Sequence, residues 1–282
     1  MTTPLAREDL AALLKWYADS GLDEAIGEIP VDRFAPPTPP PTTIVSAAAP
    51  AAAQRTVGQA VPRSPSSPAR APVPIESPQL VEDARQLARN CTSIAELEAA
   101  IRGFEGCALK RTAKNTVFAD GVPGAPVMVV GEAPGADEDR LGKPFVGVSG
   151  QLMDRMFEAI GMSRARDLYI TNILFWRPPG NRTPTQAEQA MCIAFTRRHI
   201  ELAQPKVLIL AGGTSAKAIL DTTDGIMRLR GKWTTLRLDD GTEVRALPTF
   251  HPAYLLRTPA SKRQSWYDLL ALDKKLRELG VK

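Results

Sequence analysis

Cysteine is scarce in this chain: three residues in 282, Cys91, Cys107 and Cys192, with no Cys-x-x-Cys pair among them. That count excludes a dense disulfide framework and points to reduced thiols. Histidine is limited to His199 and His251. His199 sits in a helical stretch beside Arg197 and Arg198 and reads as a surface residue, whereas His251 falls just past the end of an apolar run. No apolar stretch reaches the roughly 18 residues of a membrane span, and the first residues lack the basic-then-apolar layout of a secretion signal. A cytoplasmic protein with no membrane partner is expected. Neither the Gly-x-Gly-x-x-Gly fingerprint nor the Gly-x-x-x-x-Gly-Lys-Ser/Thr loop occurs, which argues against a generic nucleotide-binding enzyme.

Proline, by contrast, is abundant and unevenly placed. Thirteen of the 25 prolines lie between Pro30 and Pro78. Residues 30–78 also have few large apolar side chains to offset the entropy of ordering, so they read as a disordered Pro/Ala/Ser-rich linker. Ahead of it, Leu10, Leu13, Leu14, Tyr17, Leu22 and Ile26 recur mainly at helical spacing, giving an N-terminal helical segment over 1–29 that could recruit a protein partner. Residues 79–282 have the composition of one globular domain, and a monomer is expected. The net charge of +4 and the pI near 9.0 permit a polyanionic partner without requiring one.

Within that domain, apolar runs alternate with helical patterns. Strands are expected at 127–130, 168–175, 207–210 and 244–249. Helices are expected after the Ser93–Glu96 capping box and over about 150–160, 183–202, 214–220 and 261–279, with a polar hairpin turning at Asp239-Asp240-Gly241. Strands separated by helices imply an α/β fold, a three-layer α/β/α sandwich around a four-stranded, mainly parallel sheet.

Ligands of such sheets bind at the carboxyl ends of the strands. Three of those ends would carry the turn Gly131-Glu132-Ala133-Pro134-Gly135 with Glu138, then Asn172, then His251. A carboxamide both donates and accepts, an imidazole can stabilise a developing oxyanion, and a glycine-rich turn offers peptide N–H groups. Phe145, between two glycines in Gly142-Lys143-Pro144-Phe145-Val146-Gly147, supplies a face on which a base could stack. Together they suit a planar, neutral, polar ring. Arg228, Arg230, Lys232, Lys262 and Arg263 are candidate phosphate contacts.

Those motifs, with Arg177-Pro178-Pro179, Asn181-Arg182 and the segment His251 to Arg257, resemble the family 4 enzymes of the uracil-DNA glycosylase superfamily over most of residues 104–270. The resemblance implies an enzyme of base excision repair that flips uracil out of DNA and hydrolyses its N-glycosidic bond to leave an abasic site. It places His251, Glu132 and Asn172 among the catalytic residues. Gly131, Ala133, Pro134, Gly135, Glu138, Phe145 and Asn172 would bind the base, with Glu138 screening the C5 position. Tyr254, Leu255, Leu256 and Arg257 would lie against DNA. A non-catalytic or weakly active member that binds damaged or single-stranded DNA is the alternative. Family 4 enzymes typically hold a [4Fe–4S] cluster on four cysteines. Here Cys107 and Cys192 stand at the second and fourth positions, but Phe104 and Trp176 stand at the first and third. Neither ring offers a thiolate, so no cluster and no other metal is expected.

Overall fold

The computed structural model describes residues 78–281. The N-terminal helical segment expected over 1–29, and all of the expected linker but Pro78, lie outside the described residues.

The sheet is built on β2 (Val127–Gly131), whose five residues are all buried. It pairs in parallel with β3 (Leu168–Asn172) on one side and β4 (Val207–Ala211) on the other, and β4 pairs in parallel with β6 (Glu243–Thr249). Short apolar, β-branched runs of this kind satisfy their backbone only inside a sheet covered on both faces. Alternation along β2 divides the core accordingly. Met128 and Val130 face a cluster formed with α1 (Pro78–Asn90), α2 (Ile94–Gly103), α5 (Gln186–Ala203) and α6 (Gly213–Leu220). Val127 and Val129 face α4 (Val148–Glu158) and α9 (Lys262–Glu278). Three short helices complete the set: α3 (Ala136–Leu141), α7 (Ile226–Leu229) and α8 (Pro252–Arg257).

The α/β/α layering and the four parallel strands agree with the sequence reading, but the sheet has six strands in the order β1-β3-β2-β4-β6-β5. Both additions are antiparallel edge strands. β1 (Asp120–Gly121) is two residues long and leaves no periodic signal, while β5 (Thr234–Arg237) buries only Leu236 and forms one arm of the expected hairpin. The second strand also stops at Asn172 instead of continuing to 175. The chain bends there because the amides of Ile173 and Leu174 donate to the carbonyls of Gly131 and Glu132, the residues that leave β2. His199 is not a surface residue but wholly buried, stacked on Phe118 with a centroid separation of 4.3 Å and hydrogen-bonded through Nε2 to the Tyr169 hydroxyl at 2.8 Å. Its neighbours Arg197 and Arg198 point elsewhere on the helix and pair with Asp239 and Glu201.

Candidate active site

The register of the sheet sets Gly131 directly beside Asn172. A side chain at 131 would be impossible in this arrangement, since a Cβ there would lie 2.3 Å from Asn172 Oδ1 and 2.6 Å from the Phe145 ring. Glycine thus opens the space between the carboxamide and the aromatic ring. Asn172 itself is 2% exposed, and its side chain makes no hydrogen bond among the described residues. The carboxamide is not among the sealed polar groups that lack a partner, so its polar atoms at this strand end keep some contact with solvent.

Phe145 closes a second side. Its ring stacks on the His251 ring with centroids 5.4 Å apart and planes 28° apart. Its backbone lies at φ 53°, a left-handed conformation that a bulky residue rarely adopts and that surrounding structure must enforce. Arg164 is the main restraint. Its guanidinium donates to the carbonyls of Pro144 (2.9 Å) and Phe145 (2.6 Å) and is itself held by Asp120 and Asp154. Burial works against the charge of Asp120, but Arg164 and Lys143 hold its carboxyl below the usual range. Gly150 completes the restraint by letting α4 approach so closely that a Cβ there would lie 1.9 Å from the Phe145 oxygen. Arg164 had no signal in the sequence, because its partners lie 10 to 44 positions away.

His251 caps α8: its Nδ1 accepts a hydrogen bond from the Ala253 amide at 3.1 Å. An accepting Nδ1 carries no proton, which leaves Nε2 as the N–H of the neutral ring. Burial and then the nearby Arg257 charge push its pKa down to about 4 against a smaller opposing effect of Glu138. At neutral pH the imidazole is therefore an uncharged donor.

The Glu138 carboxylate is fully engaged with backbone: Oε1 accepts from the Val146 and Gly147 amides, both at 2.9 Å, and Oε2 from Gly135 at 3.1 Å. It ties the 131–135 turn to the Phe145 loop. Pro134 is buried, and Glu132, Ala133 and Gly135 are partly exposed along the turn. Among the DNA-face candidates, Leu255 is fully buried, Tyr254 packs on Phe250 (4.9 Å), and only Leu256 (39% exposed) and Arg257 project outward. Of the basic candidates, Arg230 is tied internally to Asp268 and to the Gln264 carbonyl, whereas Lys262 and Arg263 are exposed.

Cys107 and Cys192 are buried thiols in one core cluster with Phe104 and Trp176. The Phe104 ring meets Phe195 edge-on at 5.3 Å, and the Trp176 indole N–H donates to the Thr116 hydroxyl at 3.1 Å. Two thiols packed among rings do not fit a four-thiolate cluster. Among the described residues no group of three His, Cys, Asp or Glu side chains could hold a metal ion.

Fold and site define a class: an α/β protein whose parallel strands end beside a buried asparagine, a phenyl ring and an imidazole. Residues 118–272, more than half the chain, match the uracil DNA glycosylase superfamily, and the chain belongs to it. It is 36% identical to the type-4 uracil-DNA glycosylase of Pyrobaculum aerophilum over 62% of this chain and 91% of that protein. It is 36% identical to the Archaeoglobus fulgidus protein of the same name over 61% of this chain and 87% of that one. With the Thermotoga maritima protein, again a type-4 uracil-DNA glycosylase, the identity is 36% over 57% and 82%.

Proposed function

We propose that this protein is a uracil-DNA glycosylase that flips uracil out of DNA and hydrolyses its N-glycosidic bond, leaving an abasic site. The observation that carries the assignment is the convergence of the Asn172 carboxamide with Gly131, Phe145 and an uncharged His251 at the strand ends. Extrusion of a base costs a few kcal/mol, and the pocket must repay it with contacts that only the flipped base makes. Asn172 pairs with the N3/O4 edge of uracil: its oxygen accepts from N3–H and its amide donates to O4. Phe145 stacks on the ring. As the glycosidic bond breaks, the electron pair moves onto the base, and negative charge grows on O2. The Nε2–H of neutral His251 donates to that oxygen, and its strength lies in preorganisation by the α8 cap rather than in a full charge. The sugar becomes oxocarbenium-like, so water adds without a strong base. The 131–135 turn, with the Glu132 carboxylate at its mouth, is the candidate holder of that water.

No step in this sequence needs a metal, and we assign the protein no cluster, on the ground that Phe104 and Trp176 stand where thiolates would be required. Glu138, tied to the Gly135, Val146 and Gly147 amides, braces the turn and screens the C5 position of the base. Leu256 is the residue that fills the space vacated by the flipped nucleotide, and Arg257 grips phosphate. The protein works as a cytoplasmic monomer on uracil-bearing DNA. No helix among the described residues is long and apolar enough to cross a membrane. The edge-reading role is tested with Asn172→Asp, which reverses the preferred donor pattern: excision should shift toward cytosine, and unchanged base preference would remove Asn172 from the role.

A further inference from the structure

Beside the proposed DNA face, α4, α8 and α9 enclose a groove of about 300 Å³, at the lower end of the range for small-ligand clefts. Its floor includes Leu255 and Leu269, and Trp266 forms one wall with 40% of its surface exposed. Arg155 and Lys262 stand at its rim, neither makes an ion pair among the described residues, and no acidic side chain lines it. Ser265 also lines it, with its hydroxyl sealed away from the opening. Unpaired cations flanking an exposed indole are the chemistry of a nucleotide site: charge for the phosphate, a π-face for the base.

The position fits the same ligand. Leu255 belongs to α8, the short helix capped by His251, and Leu256 and Arg257 follow it directly. After the turn at 259–261, α9 opens with Lys262 and Arg263, then exposes Trp266 and Tyr267 one turn later, with the Arg263 guanidinium 5.9 Å from the centre of the Tyr267 ring. Arg257, Lys262, Arg263, Trp266 and Tyr267 are thus all exposed along the segment that leads from α8 into α9.

We infer that this groove binds an unpaired nucleotide of the DNA strand flanking the uracil, its base stacked on Trp266 and its phosphate held between Arg155 and Lys262. A base inside a duplex is stacked on both faces and cannot present one to the indole, so the site favours single-stranded or locally melted DNA. The inference rests on the glycosylase reading for the direction in which the strand runs, but its test does not require excision.

The test is titration of the full-length protein with uracil-free oligothymidylate of about a dozen residues, following the emission assigned to Trp266 by difference against Trp266→Phe. The expected result is quenching of that emission. Affinity should fall about tenfold in Trp266→Ala and in the Arg155→Ala/Lys262→Ala double variant, with the double variant also reducing the salt dependence. In parallel, kcat on a short single-stranded uracil oligonucleotide should be unchanged in Trp266→Ala, while the lower KM that the wild type gains from a longer flank should disappear. Equal affinity for oligothymidylate in all these proteins, each folded by thermal melt, would overturn the inference. So would quenching by an acidic, aromatic peptide but not by the oligonucleotide, which would make the groove a protein-docking site. Quenching by oligothymidylate in a protein that excises no uracil would keep the groove and remove the glycosylase reading.

Discussion

A histidine that is neutral at pH 7 has a different pH signature from one that must be protonated. With its Nδ1 accepting from Ala253 and its pKa pushed down to about 4, His251 keeps its Nε2–H donor throughout the mildly acidic range. Excision by folded protein should therefore stay flat from pH 8 to about pH 5 and change only near pH 4; an inflection near 6.5 in single-turnover rates would contradict the uncharged donor. Gly131 gives a steric counterpart. Gly131→Ala would place a methyl against Asn172 and Phe145, and we expect at least a hundredfold loss of kcat/KM, roughly the effect of losing one transition-state donor. A thermal melt should show the fold retained. That Gly131, Asn172, Phe145 and His251 come together was legible in the sequence, because each lies at a strand end or in a glycine-rich turn. The hydrogen bonds of Glu138 were not, because they depend on amides 8 and 9 residues downstream whose direction no residue pattern records. The burial of Leu255 beside an exposed Leu256 was hidden for a similar reason: two adjacent leucines look alike until the helix phase is known.

At the scale of elements, the pocket depends on how the Phe145 loop is fastened between β2 and α4. Arg164 makes that fastening through two carbonyls and two carboxylates, with 18% of its side chain exposed. Arg164→Met would leave Asp120 and Asp154 without their shared cation and free Phe145 from its left-handed conformation. We expect destabilisation of about 2–4 kcal/mol by denaturant titration and a fall in kcat/KM larger than the lost stability explains; Arg164→Lys should recover part of the stability but less of the activity, since an ammonium cannot reproduce the planar fork. The four long strands and most helices were legible from periodicity, as their apolar runs are buried on both faces. Of the edge strands, β5 was legible only as an arm of the hairpin turning at 239–241, and β1, two residues long, left no pattern. Nor was the stop of β3 at Asn172 legible, since it is imposed by hydrogen bonds to the end of a different strand.

At the scale of the whole molecule, Cys107 and Cys192 are packed with Phe104 and Trp176 in one core cluster, to which we assign no iron. Cys107→Ala/Cys192→Ala should then keep excision within about threefold of wild type, with a stability loss of about 1–3 kcal/mol from trimming two buried side chains. Iron analysis of wild-type protein should give none in stoichiometric amount. Acid stability follows from the two histidines. The fold holds His199 at about 3 and His251 at about 4, both below the ordinary 6.5 of an unfolded chain. Between those values the unfolded chain binds protons that the native protein refuses, so the melting temperature should fall as pH drops below about 6.5 and stay flat above it on this account. The expected division into a 79–282 domain and an N-terminal tail remains a proposal, on which deleting residues 1–77 should leave the rate on free oligonucleotides unchanged. The most direct measurement is alkaline strand scission of a single-uracil oligonucleotide, single- and double-stranded, by wild type and His251→Ala side by side. Scission by iron-free wild type that falls about a hundredfold or more in the variant is the expected result. Folded wild-type protein that binds the oligonucleotide and cuts neither form would contradict it and leave a DNA-binding protein without this activity.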